Sequence, residues 1–141
     1  MELNRYTDYS LRTLIYAGLH VDRTFTVPEL ASAYGISENH LVKVAHNLGK
    51  MGYLETKRGG YGGFRIAHLP DEINIGQVVR QTEPLALVEC LGHDGGSCPI
   101  NQACVLKRVI GEARDAFLET LDQYTLADLL KPKSALAQVL S

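Results

Sequence analysis

Between Thr26 and Leu48 two short stretches of helical periodicity meet at a single glycine, and few folds accept that arrangement. Thr26-Val-Pro-Glu29 sets out a hydroxyl acceptor, an early proline and a glutamate in capping-box order, so a helix is predicted over Val27 to Tyr34. Gly35 ends it. Ser37 is positioned to cap the next helix, Glu38 to Met51, whose apolar stripe is Leu41, Val44, Ala45 and Leu48. Ala31 is small where the two helices must cross, and Gly35 tolerates a left-handed turn between them. The pair reads as a helix-turn-helix. Ahead of it, Leu11, Leu14, Ile15, Ala17, Gly18 and Leu19 recur at three- and four-residue steps and predict a first helix from Tyr6 to His20. After it, Tyr53 to Lys57 and Phe64 to Ala67 flank Arg58-Gly-Gly-Tyr-Gly-Gly63 as two strands around a glycine-rich turn, which makes a wing.

Such a unit places the N-terminal half of its second helix in the major groove of DNA, exposing Ser37, Glu38, Asn39, His40 and Lys43. Asn39 and His40 suit base edges, whereas Lys43 and Lys50 suit phosphates. Arg58 and Tyr61 at the wing tip are placed for an adjacent minor groove. Helix-turn-helix pairs also serve as plain packing motifs, but the wing that follows at once favours DNA. Charge agrees. The whole chain carries −2, too little for coating nucleic acid by bulk attraction, yet Lys43, Lys50, Lys57, Arg58 and Arg65 stand against only Glu55 between Asn39 and His68. The glycine run lacks the Gly-Lys-Ser/Thr ending of a nucleotide-binding loop.

Further along, Asn74 can cap a short helix over Ile75 to Gln81, which stops before Pro84. A long helix is predicted over Gln102 to Tyr124 with the stripe Leu106, Ile110, Ala113, Phe117, Leu121 and Tyr124. It is longer than the small N-terminal bundle can cover, so part of the stripe is expected to pack on a second copy of the chain. A last turn, Leu126 to Leu130, follows, and Lys131 onward reads as a tail. The expected fold is mainly α with a small β-hairpin, a winged helix-turn-helix plus a long dimerisation helix. Its divisions are a DNA-binding unit (1–83), a loop (84–104), the helix and its cap (105–130) and the tail (131–141). No apolar run is long enough to span a bilayer and the N-terminus lacks a signal-peptide layout, so a cytoplasmic protein without membrane contact is expected. No paired carboxylates or nucleophile-base arrangement stands out, which argues against an enzyme.

All three cysteines, Cys90, Cys98 and Cys104, fall within Glu89 to Ala103 and the residue after it, among Gly92, Gly95, Gly96 and Pro99. A chain of 141 residues buries enough core to fold without a metal, so a metal here would be functional. Three cysteines cannot all pair, and in a reducing compartment they read as ligands or reactive thiols. Three thiolates fall one short of a tetrahedral zinc or a four-cornered iron-sulfur cluster. Glu89, His93, Asp94 or a residue of another chain could complete the set, and the spacing does not decide between the two metals.

A winged helix-turn-helix, three clustered cysteines and a long helix together resemble the bacterial family of winged helix-turn-helix iron-sulfur regulators. The likeness runs from Leu3-Asn4-Arg5-Tyr6-Thr7-Asp8-Tyr9 through Arg58-Gly-Gly-Tyr-Gly-Gly63 to Asp122-Gln-Tyr-Thr-Leu-Ala-Asp-Leu-Leu130. It is greatest to the nitric-oxide-sensing branch, in Glu83-Pro-Leu-Ala-Leu-Val-Glu-Cys90 and Pro99-Ile-Asn-Gln-Ala-Cys-Val-Leu-Lys107. The resemblance implies that Cys90, Cys98 and Cys104 hold an iron-sulfur cluster, 4Fe-4S rather than 2Fe-2S, with Asp8 completing it across a homodimer. Another branch uses a histidine three residues after the third cysteine, where this chain has Lys107. It further implies a repressor that binds palindromic double-stranded operator DNA with its cluster intact and is released when nitric oxide, the signal, nitrosylates the cluster. The alternatives are a regulator reporting redox state or cluster supply, and a zinc-stabilised DNA-binding module. Read without the resemblance, Asp8 is an acidic residue in a helix's first turn, favoured by the helix dipole.

Overall fold

The computed structural model describes residues 1–60 and 62–141. Helix α1 (Arg5–Leu19) starts at Asn4, whose side chain accepts the N–H of Thr7 at 2.8 Å. Its inner face mixes Leu14, Tyr16 and Ala17 with buried Ser10 and Thr13, whose hydroxyls donate to the carbonyls of Tyr6 and Tyr9 one turn back. Polar groups buried this way are satisfied within their own helix. Helix α2 (Val27–Tyr34) has the boundaries expected of it: Thr26 accepts from the N–H of Glu29, and Gly35 closes it at φ 65°. Helix α3 (Glu38–Lys50) follows. Ser37 does occupy its N-cap position, but the hydroxyl makes no capping hydrogen bond. The residue is exposed, so water can serve the first-turn N–H groups instead. Leu14, Leu30, Leu41, Ala45 and Leu48 close the core between the three helices, each almost wholly shielded from solvent.

Strands β1 (Leu54–Lys57) and β2 (Gly63–Ile66) pair antiparallel in the register Leu54↔Ile66 to Lys57↔Gly63. Leu54, Phe64 and Ile66 turn inward, which leaves Glu55, Lys57 and Arg65 on the other side of the hairpin. A third piece of backbone joins it. Phe25, in the turn between α1 and α2, exchanges two hydrogen bonds of 2.8 and 2.7 Å with Phe64. Gly63 sits at φ 146° with the Phe25 carbonyl where a Cβ would project, so a side chain there would push the two segments apart.

Helix α4 (Ile75–Thr82) is capped by Asn74, which accepts from the Gln77 N–H and donates to the Asp122 carbonyl at 2.7 Å. Arg80 grips the Asp122 carboxylate with both terminal nitrogens, locking α4 to the end of helix α5 (Val105–Asp122). Helix α5 begins later than Gln102 because Asn101–Ala103 forms a 3-10 turn and Cys104 takes the N-cap position. Its buried residue is Leu118, which lies off the expected stripe; Leu121 packs on the core from the side. A capping box between Thr125 and Asp128 opens the short helix α6 (Leu126–Leu129). Leu126 and Leu130 press on Gly18 of α1, where any Cβ would meet Leu130 at 2.6 Å. Beyond it the expected tail is corrected: Lys133–Leu140 forms helix α7, and Leu140 packs against the core. No helix among the described residues is long and apolar enough to cross a membrane.

Candidate nucleic-acid interface and cysteine loop

Helix α3 buries Leu41, Val44, Ala45 and Leu48, and the helical repeat therefore turns Asn39, Lys43, His46 and Lys50 to solvent along one line. Ser37, Glu38 and His40 are likewise exposed at its start. Of the sequence-derived candidates, Asn39, Lys43 and Lys50 thus share one line along the second helix of the pair, and Ser37, Glu38 and His40 are exposed around its start. His46 belongs with them. Its ring meets Phe64 of the wing edge-on at 5.8 Å, a contact between helix and wing. The sequence shows His46 only as a position facing away from the stripe, because its contact with the wing depends on tertiary packing. Arg58 is exposed in the wing turn, while Tyr61 lies outside the described residues.

Helix α1 is fastened to this unit by aromatic and ionic contacts. Tyr34 donates its hydroxyl to the Arg12 carbonyl at 2.8 Å, and burial pushes its pKa up to about 12. Tyr9 lies 6.1 Å from the His40 ring. At the other end of α1, the Glu29 carboxylate accepts from Tyr16 at 2.6 Å and from Arg23 at 2.8 Å. Burial alone would raise the Glu29 pKa, but these two donors outweigh it and hold the group below its ordinary value.

Cys90 and Cys104 are half-buried and Cys98 is exposed, all three as free thiols. Ser97 donates from both its N–H and its hydroxyl to Glu89, so the segment between them is closed into a loop from whose two ends Cys90 and Cys98 depart. Gly95 and Gly96 have φ of 69° and 67°, which turns the chain back on itself. Asn101 ties that turn to the next helix, donating to the Gly95 carbonyl and accepting from Lys107. Lys107 therefore braces the loop. Cys104 caps α5 through its sulfur, which accepts from the Lys107 N–H at 3.4 Å.

Three sulfur donors on one loop are soft ligands of the kind an iron-sulfur group takes. Among the described residues, no three His, Cys, Asp or Glu side chains gather around a point fit for a single metal ion. Asp8 is half-exposed on α1, held by Arg12 through contacts of 2.9 and 3.1 Å, and is not gathered with the cysteines in one chain.

A winged helix-turn-helix with an exposed recognition face defines a DNA-binding transcription regulator, and comparison with known proteins narrows it. Residues 3–132 match the Rrf2 family, described as iron-dependent transcriptional regulator, and the chain belongs to that family. The HTH-type transcriptional regulator NsrR of Halalkalibacterium halodurans is 50% identical over 99% of this chain and 97% of its own length. The NsrR of Bacillus subtilis strain 168 is 46% identical over the same shares. Among solved structures, CymR, the global cysteine regulator of B. subtilis, superposes with a TM-score of 0.69 at 28% identity, covering 92% of this chain and 95% of that one. IscR of T. potens gives 0.74 at 24% identity over 94% and 88%, a likeness of fold. These relatives are named as regulators of transcription, so the protein is a regulator and not an enzyme.

Proposed function

We propose that this protein is a homodimeric repressor that carries an iron-sulfur cluster, 4Fe-4S in preference to 2Fe-2S, and leaves its operator in response to nitric oxide. The observation that carries the reading is the cysteine segment itself. Three free thiols stand on a pinned loop in which no residue is buried, and one of them caps the helix that follows. Cysteines idling as small hydrophobes would sit in a core. The family's description as iron-dependent favours iron over zinc, and the likeness to the nitric-oxide-sensing branch supplies the signal.

Cys90, Cys98 and Cys104 would hold the cluster, with Asp8 of the partner subunit as fourth ligand. When bound, the cluster supplies iron that reacts with nitric oxide. The chain's own residues do the rest. Lys107, Asn101 and Glu89 keep the loop folded, and Arg12 offers a waiting partner to an Asp8 carboxylate that is let go. Helix α5 leaves Val105, Leu106 and Val109 exposed, at 62%, 61% and 46%, a stripe suited to the same stripe of a second copy. Such a dimer sets two α3 helices at the half-site spacing of a palindromic operator, with the 1–83 unit reading DNA, 84–104 holding the cluster and 105–130 joining the subunits.

The test is the Asp8→Ala variant, prepared without air beside the wild type. Operator binding that nitric oxide abolishes in the wild type should become insensitive to nitric oxide in the variant, with iron still present. Unchanged sensitivity in the variant contradicts the ligand assignment, and zinc without iron or sulfide in the wild type contradicts the sensor reading.

A further inference from the structure

The start of α1 meets α3 at a notch of about 170 Å³ whose walls are the rings of Tyr6 and Tyr9 and the side chain of Val44. Its remaining lining residues are Arg5, His40 and Lys43. Arg5 and Lys43 are both exposed and, among the described residues, neither has an acidic partner. Asp8 lies three residues beyond Arg5 on the same helix, close enough for an ion pair, but its two oxygens are taken by Arg12. The notch therefore combines an apolar floor with unneutralised cations and no acid. It opens beside His40 and Lys43, on the surface by which α3 would meet the major groove.

We propose that this notch seats the sugar-phosphate backbone of the DNA that α3 reads, with Arg5 as a phosphate donor alongside Lys43 and the Tyr6 and Tyr9 rings against the sugar. The proposal rests on the DNA-reading role of α3 and adds the first turn of α1 to the interface. An Arg fork can hold two phosphate oxygens at once, whereas the Lys43 ammonium acts as a point charge. A phosphate contact positions the protein and carries no base information. Arg5 and Asp8 share one helical turn, so a movement of that turn alters a DNA contact directly.

Two duplexes test it: one recovered from a randomised pool by the full-length protein prepared without air, and a scrambled duplex of equal length. Affinity for both is measured across a range of salt for the wild type, Arg5→Gln and Arg5→Lys. Arg5→Gln should weaken both duplexes by the same several-fold factor and make the slope of log affinity against log salt shallower by about 1.8, the value for one phosphate on each of the two subunits. Arg5→Lys should restore the slope. An unchanged slope in Arg5→Gln, with wild-type preference for the recovered duplex intact, overturns the proposal and leaves the DNA-reading role standing. A loss confined to the recovered duplex also overturns it, because a phosphate contact cannot discriminate. A wild type that prefers neither duplex would sink the DNA-reading role and this proposal together.

Discussion

From α1 to α4 every helix sends a stripe into one core, and Leu14, Leu30, Leu48 and Val78 are wholly shielded from solvent. Between Glu83 and Phe117 no residue is buried. The first region is held by area removed from water, with Asn4, Thr26 and Asn74 fixing where its helices begin. The second is held by a handful of polar bonds around Glu89, Asn101 and Lys107 and presents its thiols and the apolar residues of α5 outward. A single chain thus contains a complete reading head and an incomplete second half. On the proposed function a bound cluster and a second subunit would cover that second half, and a change there could reach DNA binding while the head stays folded.

The contrast can be broken most sharply at the thiols. Replacing Cys90, Cys98 and Cys104 together by alanine should reduce iron and sulfide in anaerobic protein to background, while thermal unfolding of the head shifts by only a few degrees. Retained iron, or a collapsed head, would mean the two regions are not separable. Next come paired truncations. Leu48→Ala should cost about 2–5 kcal/mol in denaturant unfolding, as for a fully buried leucine, whereas Leu106→Ala should stay within about 0.5 kcal/mol at dilutions where the chain is monomeric. Equal costs would show that Leu106 is covered within one chain.

Smaller effects probe the helix starts. Thr26→Ala should lose about 1 kcal/mol with its capping bond, but Ser37→Ala almost none, since the Ser37 hydroxyl makes no such bond. Both are read from the same chemical unfolding curves, and a Ser37 loss as large as that of Thr26 would contradict the structure. Smallest is a pH effect. The Glu29 carboxyl is held below its ordinary value, so the stability it contributes is present above the ordinary glutamate range and lost as pH falls through its lowered value. Glu29→Gln should therefore be less stable than wild type at pH 7 and converge with it on acidification below about pH 4, near the reference for a free glutamate. A gap that persists unchanged in acid would contradict this.

Local signals make much of the head legible in the sequence. The Thr26 hydroxyl cap and the glycine at 35 set both ends of α2, because each acts through the backbone of its own few residues, whereas the Glu29 half of the expected capping box turns to Tyr16 and Arg23 instead. The Phe25–Phe64 pairing is not legible there, since a single residue between two helices has no alternation to display and its partner lies far along the chain. Helix α7 escapes sequence reasoning for a similar reason: it has no capping side chain, and its Leu140 gains its hold from the core rather than from local preference. On α5 the periodicity is plain, but which side faces inward is set by α4 through Arg80 and Asp122, and Leu118 becomes the buried residue. The cysteines stand out by spacing and setting. The bracing of their loop by Lys107 and Asn101 does not, because it depends on where the loop folds back.

On the proposed function a cluster on Cys90, Cys98 and Cys104 governs the grip of the head on DNA. The most direct measurement is the affinity of one oxygen-free preparation for its selected duplex, taken by fluorescence anisotropy before and after stoichiometric nitric oxide. Tight binding is expected before and at least a hundredfold loss after, a change that corresponds to about 2.7 kcal/mol. Affinity that is the same in both states, in protein verified to contain iron and sulfide, would contradict it.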